Sequence, residues 1–395
     1  MPVPFKKAPC PYCYQRIDPT RPSYRCSGRP TPGKPPCVKA EDPVRRQNLE
    51  SAEPVYPTFI PERGLLRRNG ATCPHCGGTT GTRVCPLCHS VLPANFTADS
   101  PLFGLVGVRG SGKTVMLSVL SKELKTSVAR RFSASIASVG SSSLLVALER
   151  DRDSMDQVGG ILPAQTVRAT RRDTTPAVFE WQHTREMLGM ERAASTILSF
   201  YDSSGEDLSS DEITRELHNL AATDGLILLL DPFGFPANRE DALHRGVDKN
   251  NLRDAPEAVL GNVTSLLREA DRLSTNKKIK RPLAVVLAKI DAFFDQVGPD
   301  HPIRRPASSA SAFDEAEARE LHAHVESLVS QWGGDPVLAL LRHNYTTYRF
   351  FVASALGAEP NYRTGEVSPK GVLPHRVAEP LLWLMAQRGF IRKVG

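Results

Sequence analysis

Lys113 and Thr114 close the stretch Gly107-Val108-Arg109-Gly110-Ser111-Gly112-Lys113-Thr114, which fits the pattern G-x-x-x-x-G-K-[ST]. Residues of these types at this spacing hold a polyphosphate. The glycines let backbone N–H groups close around phosphate oxygens, Lys113 reaches the β/γ-phosphates, and the Thr114 hydroxyl ligates Mg²⁺. The nucleotide-binding stretch is read as Gly107 together with Arg109, Gly110, Ser111, Gly112, Lys113, Thr114 and Val115. An apolar run (Leu102, Phe103, Leu105, Val106, Val108) predicts a strand leading in. Val115–Arg131, with Met116, Leu117, Val119, Leu120 and Leu124 at helical spacing, predicts a helix leading out. The positive N-terminal end of that helix points at the same anion.

Three later stretches place polar groups after apolar runs. Phe200-Tyr201-Asp202-Ser203-Ser204-Gly205-Glu206 sets Asp202 at a strand end, where a carboxylate holds Mg²⁺ directly or through water. Gly205 then offers a backbone N–H with no side chain to block a γ-phosphate. Ala288-Lys289-Ile290-Asp291 supplies a lysine stem and a carboxylate that matches the N1–H and exocyclic amine of guanine, a donor pair adenine lacks. Ala353-Ser354-Ala355-Leu356 aims a backbone N–H from Ser354 or Ala355 at a base oxygen. All three follow predicted strands, on the side where open α/β sheets bind ligands.

All eight cysteines precede residue 90. Paired thiolates with two residues between them present two ligands to one tetrahedral Zn²⁺, and four close a structural site with no open coordination position. The spacing groups Cys10, Cys13, Cys26 and Cys37 into one site, and Cys73, Cys76, Cys85 and Cys88 into a zinc-ribbon-like second; ligand exchange between the groups is left open. His75 and His89 each stand beside two cysteines and are read as bystanders. Two structural zinc ions are expected, supplying folding energy to small modules and docking surface rather than catalysis.

The elements that must position these groups alternate. Ala177–His183 and Ser195–Asp202 read as strands of a hairpin joined by a long loop, Thr184–Ala194. Gly225–Asp231, Pro282–Ala288 and Arg349–Ala353 read as further strands, and Arg131–Val139 as a short one. Ser141–Asp156, Ala255–Ser274, Asp314–Trp332 and Pro374–Arg388 carry helical apolar stripes. The pattern predicts an α/β fold with a mostly parallel, doubly wound sheet. The expected division is a zinc module at 1–41, a linker at 42–70, a zinc-ribbon-like module at 71–97 and a nucleotide domain at 98–395.

With 40% hydrophobic and 24% charged residues, the composition is that of an ordinary globular protein. No apolar run approaches the length of a membrane helix and no signal-peptide core opens the chain, so cytoplasmic residence is the default expectation. A net charge of +7 is mild, and the one dense basic run, Lys277-Lys278-Ile279-Lys280-Arg281, reads as a solvated loop more readily than as a nucleic-acid footprint.

The motif order GxxxxGKT, DxxG, xKxD, SAL over residues 102–395 resembles the P-loop (Ras-like) GTPases of the translation-factor (TRAFAC) class. Within that class, YDSSGED, LILLLDPFG and the leading zinc modules are similar to the double-GTPase families of bacterial conflict and defence systems. The resemblance implies a GTP-binding, GTP-hydrolysing switch in which Asp202 holds Mg²⁺ through water and Gly205 senses the γ-phosphate. It also implies that Lys289 packs along the base, Asp291 reads guanine, and Ser354 with Ala355 contacts guanine O6. Thr166 is the first choice for the switch threonine ahead of Thr174 and Thr175, Glu206 either holds the attacking water or with Asp207 starts a helix, and Arg109 is a candidate charge stabiliser alongside Arg168, Arg171 and Arg172. Two positions depart from the pattern. Ala288 stands where Asn or Thr usually ties the base motif to the phosphate loop, and Glu206 stands where Gln or His often orients water. The expected ligands are GTP and GDP, with an unidentified protein partner recruited by the zinc modules. The competing readings are an ATPase, a nucleotide-regulated nucleic-acid binder and a pseudo-GTPase that binds without turnover.

Overall fold

The computed structural model describes residues 7–49, 51–61, 70–97, 100–107, 110–139, 143–157, 159–163, 176–187, 190–202 and 219–395. Seven strands form the central sheet: β1 (Leu102–Gly107), β2 (Ala134–Ser138), β3 (Ala177–Met187), β4 (Met190–Asp202), β5 (Gly225–Leu230), β6 (Leu283–Leu287) and β7 (Tyr348–Val352). Their order is β7-β6-β5-β1-β4-β3-β2. Neighbours from β7 to β4 run parallel, while β3 is antiparallel to both β4 and β2. The doubly wound α/β expectation is thus the observed fold, with a hairpin added at one side.

Alternation along the strands feeds two apolar layers. Leu102, Val106, Leu226, Leu228, Leu283, Val285 and Phe350 face one side. There they meet α3 (Pro256–Ala270), α4 (Glu315–Gln331) and α5 (Asp335–Asn344), which bring Val263, Leu267, Val325 and Leu341. Phe103, Leu105, Ile227, Leu229, Val286 and Phe351 face the other side. They pack on α1 (Lys113–Glu123), α2 (Ser143–Asp156) and α6 (Glu379–Gln387). The helix expected to run through Arg131 does so in three segments, because α1 passes into a wider turn at Leu124–Val128 before Ala129–Arg131.

Two expectations need correction. The long loop expected at Thr184–Ala194 is mostly strand: pairing continues through Thr184↔Ala193 to Met187↔Met190. The polar residues at 184–186 and 191–192 ended the apolar alternation, but a β ladder is held by the backbone and needs no apolar side chains. Helix α5 fills the stretch between Trp332 and Arg349, where no element is expected from the sequence. Gly334 precedes its first turn and Pro336 lies within it, where proline lacks only an N–H the helix would not use.

Ahead of the sheet, residues 7–97 form very short strands around the cysteines. Ser23–Arg25 pairs with both Thr58–Phe59 and Arg83–Val84. The stretch expected as linker contributes a helix, Pro43–Leu49, whose Leu49 is buried in the cluster that holds Cys10 and Cys85. Among the described residues, no helix is long and apolar enough to cross a membrane.

Candidate nucleotide site and zinc centres

Every described element of the expected nucleotide site emerges at the carboxyl end of a parallel strand. Beyond β1, Gly112 adopts φ +87°, which an L side chain resists, and caps α1; the Met116 N–H donates to its carbonyl at 2.8 Å. Lys113 begins the helix and its Nζ donates to the Gly107 carbonyl. Gly107 has no room for a side chain: a Cβ there would stand 2.8 Å from Ser111 Oγ and 2.9 Å from the Leu229 carbonyl of β5. Ser111 is fully buried and Thr114 and Val115 are half-buried on the first turn of α1.

The base motif follows β6. Lys289 takes the left-handed conformation (φ +53°) and caps a turn of helix over Ile290–Gln296, which places Asp291 in that turn. The Ile290 N–H donates to the Ala353 carbonyl at the end of β7, 3.3 Å away, so base motif and SAL stretch are joined. Ser354 is buried, and its hydroxyl accepts from the Gly357 N–H at 2.7 Å. Burial pushes the Asp291 carboxyl above the ordinary aspartate range, and the Ser354 hydroxyl and the Lys289 charge pull it part of the way back. Ala355 follows, packed against the sheet's α1 side.

Sequence reading missed Asp231 as a site residue. At the end of β5 it accepts from Lys289 Nζ at 2.6 Å and, through its other oxygen, from the Phe233 N–H at 3.0 Å. Lys289 Nζ also lies 5.9 Å from the Phe233 ring centre and 6.0 Å from that of Tyr362. The only signal was an acid after an apolar strand. Further out, Arg245 donates to Glu359 at 2.6 Å and Asp241 at 2.8 Å, and burial raises the carboxyl of Glu359 against the pull of Arg245.

Other expected residues lie outside the described part: Arg109, Thr166, Gly205 and Glu206. Asp202 is placed by its backbone, opposite Leu105 in the β1–β4 ladder. It therefore ends a strand beside the one that carries the phosphate loop. The basic run at 277–281 is partly consumed by the fold: Ile279 is buried, Arg281 pairs with Asp271 at 2.5 Å, and Lys278 donates to the Arg342 carbonyl at 2.5 Å.

The cysteines gather differently from the expected grouping. Cys10, Cys13, Cys85 and Cys88 form one cluster, and Cys26, Cys37, Cys73 and Cys76 the other, all thiols within 4.8 Å of one another in each. The sites are nested, each taking two ligands from either side of the intervening stretch. Short spacing fixes which two thiols share a turn but not which other pair completes the site. Pairing of Ser23–Arg25 with Arg83–Val84 brings the outer pairs together. Sulfur separations of 3.9 Å (Cys10–Cys88), 3.9 Å (Cys13–Cys85), 3.5 Å (Cys26–Cys76) and 3.9 Å (Cys37–Cys73) suit the edge of about 3.8 Å that ~2.3 Å Zn–S bonds imply. After each close pair the chain turns left-handed, at Tyr14, Gly77 and His89. His89 Nδ1 lies 2.8 Å from Asp42, away from either thiol set.

With this geometry established, comparison with known proteins is direct. The model of one family, Double-GTPase 2, matches residues 102–341. The chain belongs to the Double-GTPase 2 family. The match runs from β1 into α5 and includes the phosphate loop and the base motif. A protein of Mycolicibacterium smegmatis named as an ESX-1 scaffolding and assembly protein, SaeC, is 26% identical over 329 residues, covering 78% of this chain and 80% of its own. Among solved structures, the chain is similar to a nucleolar GTP-binding protein 1 of Plasmodium falciparum (10% identity, 67% of this chain and 82% of that one, TM-score 0.26). It is also similar to the GTPase-like domain of S. cerevisiae Ski7 bound to GTP (14% identity, 74% and 51%, TM-score 0.32). At those scores neither structure bears on what this family member does.

Proposed function

We propose that this family member is a GTP-binding switch that hydrolyses GTP slowly and reports its nucleotide state to a protein assembly. The observation that carries the reading is the Ile290 N–H bond to the Ala353 carbonyl, which joins the base motif to the SAL stretch at the carboxyl ends of β6 and β7, on the same sheet edge as the loop that ends in Lys113 and Thr114. The Asp291 carboxylate suits the N1–H and exocyclic amine of guanine. Thr114 and Asp202 would hold Mg²⁺, which when bound neutralises charge on the phosphate oxygens. Lys113 and the backbone N–H groups of 110–115 orient the phosphates for in-line attack by water. Catalysis here is positioning and electrostatics, with no covalent step for the protein. Glu206 is assigned the attacking water, Thr166 the switch contact and Gly205 the γ-phosphate contact, with Arg109 a charge stabiliser.

Residues 7–97 act as one zinc-stapled docking module ahead of a GTPase domain at 98–395. The four-thiolate sites leave no position open for chemistry, which supports docking. The name of the M. smegmatis relative supports assembly work within a bacterial system. The test is binding of fluorescent GTP and ATP to the full chain, with phosphate release from wild type and Lys113→Ala. GTP preference with Lys113-dependent release is expected. ATP preference overturns the base assignment, and binding without release makes the protein a pseudo-GTPase. Asp291→Asn should shift preference toward xanthosine triphosphate.

A further inference from the structure

The connection between β5 and α3 spans residues 231–255, far more than such a crossover needs. It is fixed at both ends. Phe233, Phe235, Val247 and Leu252 are buried in the sheet's α3 side, and buried Asn238 donates to the Pro232 carbonyl at 2.9 Å. Between Val247 and Leu252 the chain makes one tight turn. The Asp248 carboxylate accepts from the Asn250 N–H at 2.9 Å, and the Asp248 carbonyl accepts from the Asn251 N–H at 2.9 Å. This turn delivers Asn251 to the phosphate loop. A Cβ on Gly110 would lie 2.5 Å from Asn251 Cγ and 2.8 Å from its Oδ1, and Gly110 itself sits at φ +77°. The carboxamide therefore rests against the main chain of the loop, three residues before Lys113.

We propose that Asn251 is a positioning residue of the nucleotide site, bracing the phosphate loop from the β5–α3 connection. The proposal rests on the GTP-binding reading and deepens it. Ala288 has only a methyl group, buried at the end of β6, and its N–H is spent on the Leu230 carbonyl at 3.0 Å. It offers the loop nothing, so the brace comes from elsewhere in the chain. A carboxamide carries two donors and an acceptor, which suits it to contact with main-chain N–H and C=O groups. A loop held in its binding form loses less freedom when phosphate arrives. The same connection reaches the base side: Arg245 pairs with Glu359 at 2.6 Å, and Gly246 packs on the Arg363 side chain, so one segment spans both ends of the nucleotide.

The test uses the full chain with Asn251→Ala and Asn251→Asp, reading GTP and GDP dissociation constants at low and high salt and the melting temperature of the nucleotide-free protein. Asn251→Ala should weaken GTP and GDP alike by roughly three- to tenfold, the size of one neutral polar contact, with an unchanged melting temperature. Asn251→Asp preserves shape but sets a carboxylate against the loop, so its weakening should be larger and should shrink as salt screens it. Unchanged affinities in both variants overturn the proposal. So does an affinity loss matched by a lower melting temperature and indifferent to salt, because that marks a residue needed only for packing. Failure of wild type to bind any guanine nucleotide is a different result, and it removes the reading underneath.

Discussion

Asp291 meets two opposed demands. The guanine contact proposed above needs its carboxylate charged, while burial in the free protein raises its pKa. The consequences have opposite signs. A carboxyl whose folded pKa lies above its unfolded value stabilises the fold fully below the unfolded pKa, and that contribution is lost as pH rises through the folded pKa. GTP binding needs the ionised form, so affinity should rise over the same interval. We expect wild type, as pH increases from the ordinary aspartate range through the raised pKa, to lose melting temperature relative to Asp291→Asn while gaining GTP affinity. Lys289 and Glu359 act on the same carboxylate with opposite sign, so the comparison with Asp291→Asn isolates its share. Parallel pH profiles for the two proteins would refute the idea. Lys113, Asp291 and Ser354 were legible in the sequence because each sits in a spaced motif. Asp231 and Asn251 were not, because each acts through a contact that only the fold creates.

Elements differ in how they hold together, and so in how they can be read. The central strands are continuous apolar runs, and β1, β5 and β6 are buried along their whole length. Hydrophobic periodicity found them, and with them the sheet. The polar tips of β3 and β4 carried no such signal, and the hairpin was read short. The strands around the cysteines are two or three residues each, too short to persist on their own ladders. Metal must supply most of their folding energy, since thiolate–zinc bonds form only in the folded module. Chelation should therefore unfold residues 7–97 and leave the sheet intact. Limited proteolysis with and without a strong chelator is the measurement: cleavage concentrated before residue 100 is expected, with a resistant fragment beginning near β1. Equal resistance in both conditions would mean that the apolar clusters alone hold the module.

At the scale of the whole molecule, the two zinc centres are not equivalent. The outer one, built on Cys10, Cys13, Cys85 and Cys88, is seated on the sheet. Cys10, Cys85 and Cys88 share an apolar cluster with Val178 of β3 and Ile197 of β4, and the buried Ser199 hydroxyl donates to the Pro11 carbonyl at 2.7 Å. The inner one packs with Phe59 and Ala71 inside the front module, away from the sheet. Strand β4 ends at Asp202, so the outer centre backs the strand beside the one that carries the phosphate loop, which gives the front module a physical route to the nucleotide site proposed above. The two lesions Cys13→Ser and Cys37→Ser should each remove one zinc ion from the purified protein, yet differ in reach. Loss of the outer centre frees the knuckle that covers Val178 and Ile197, so amide hydrogens of the β3–β4 ladder should exchange faster, while those of β6 and β7 keep their protection. Cys37→Ser should leave the β3–β4 ladder as slow as in wild type. GTP affinity should follow the same division, falling for Cys13→Ser and holding for Cys37→Ser. Identical exchange at β3–β4 in the two variants would show that the front module is tethered to the nucleotide domain without being coupled to it.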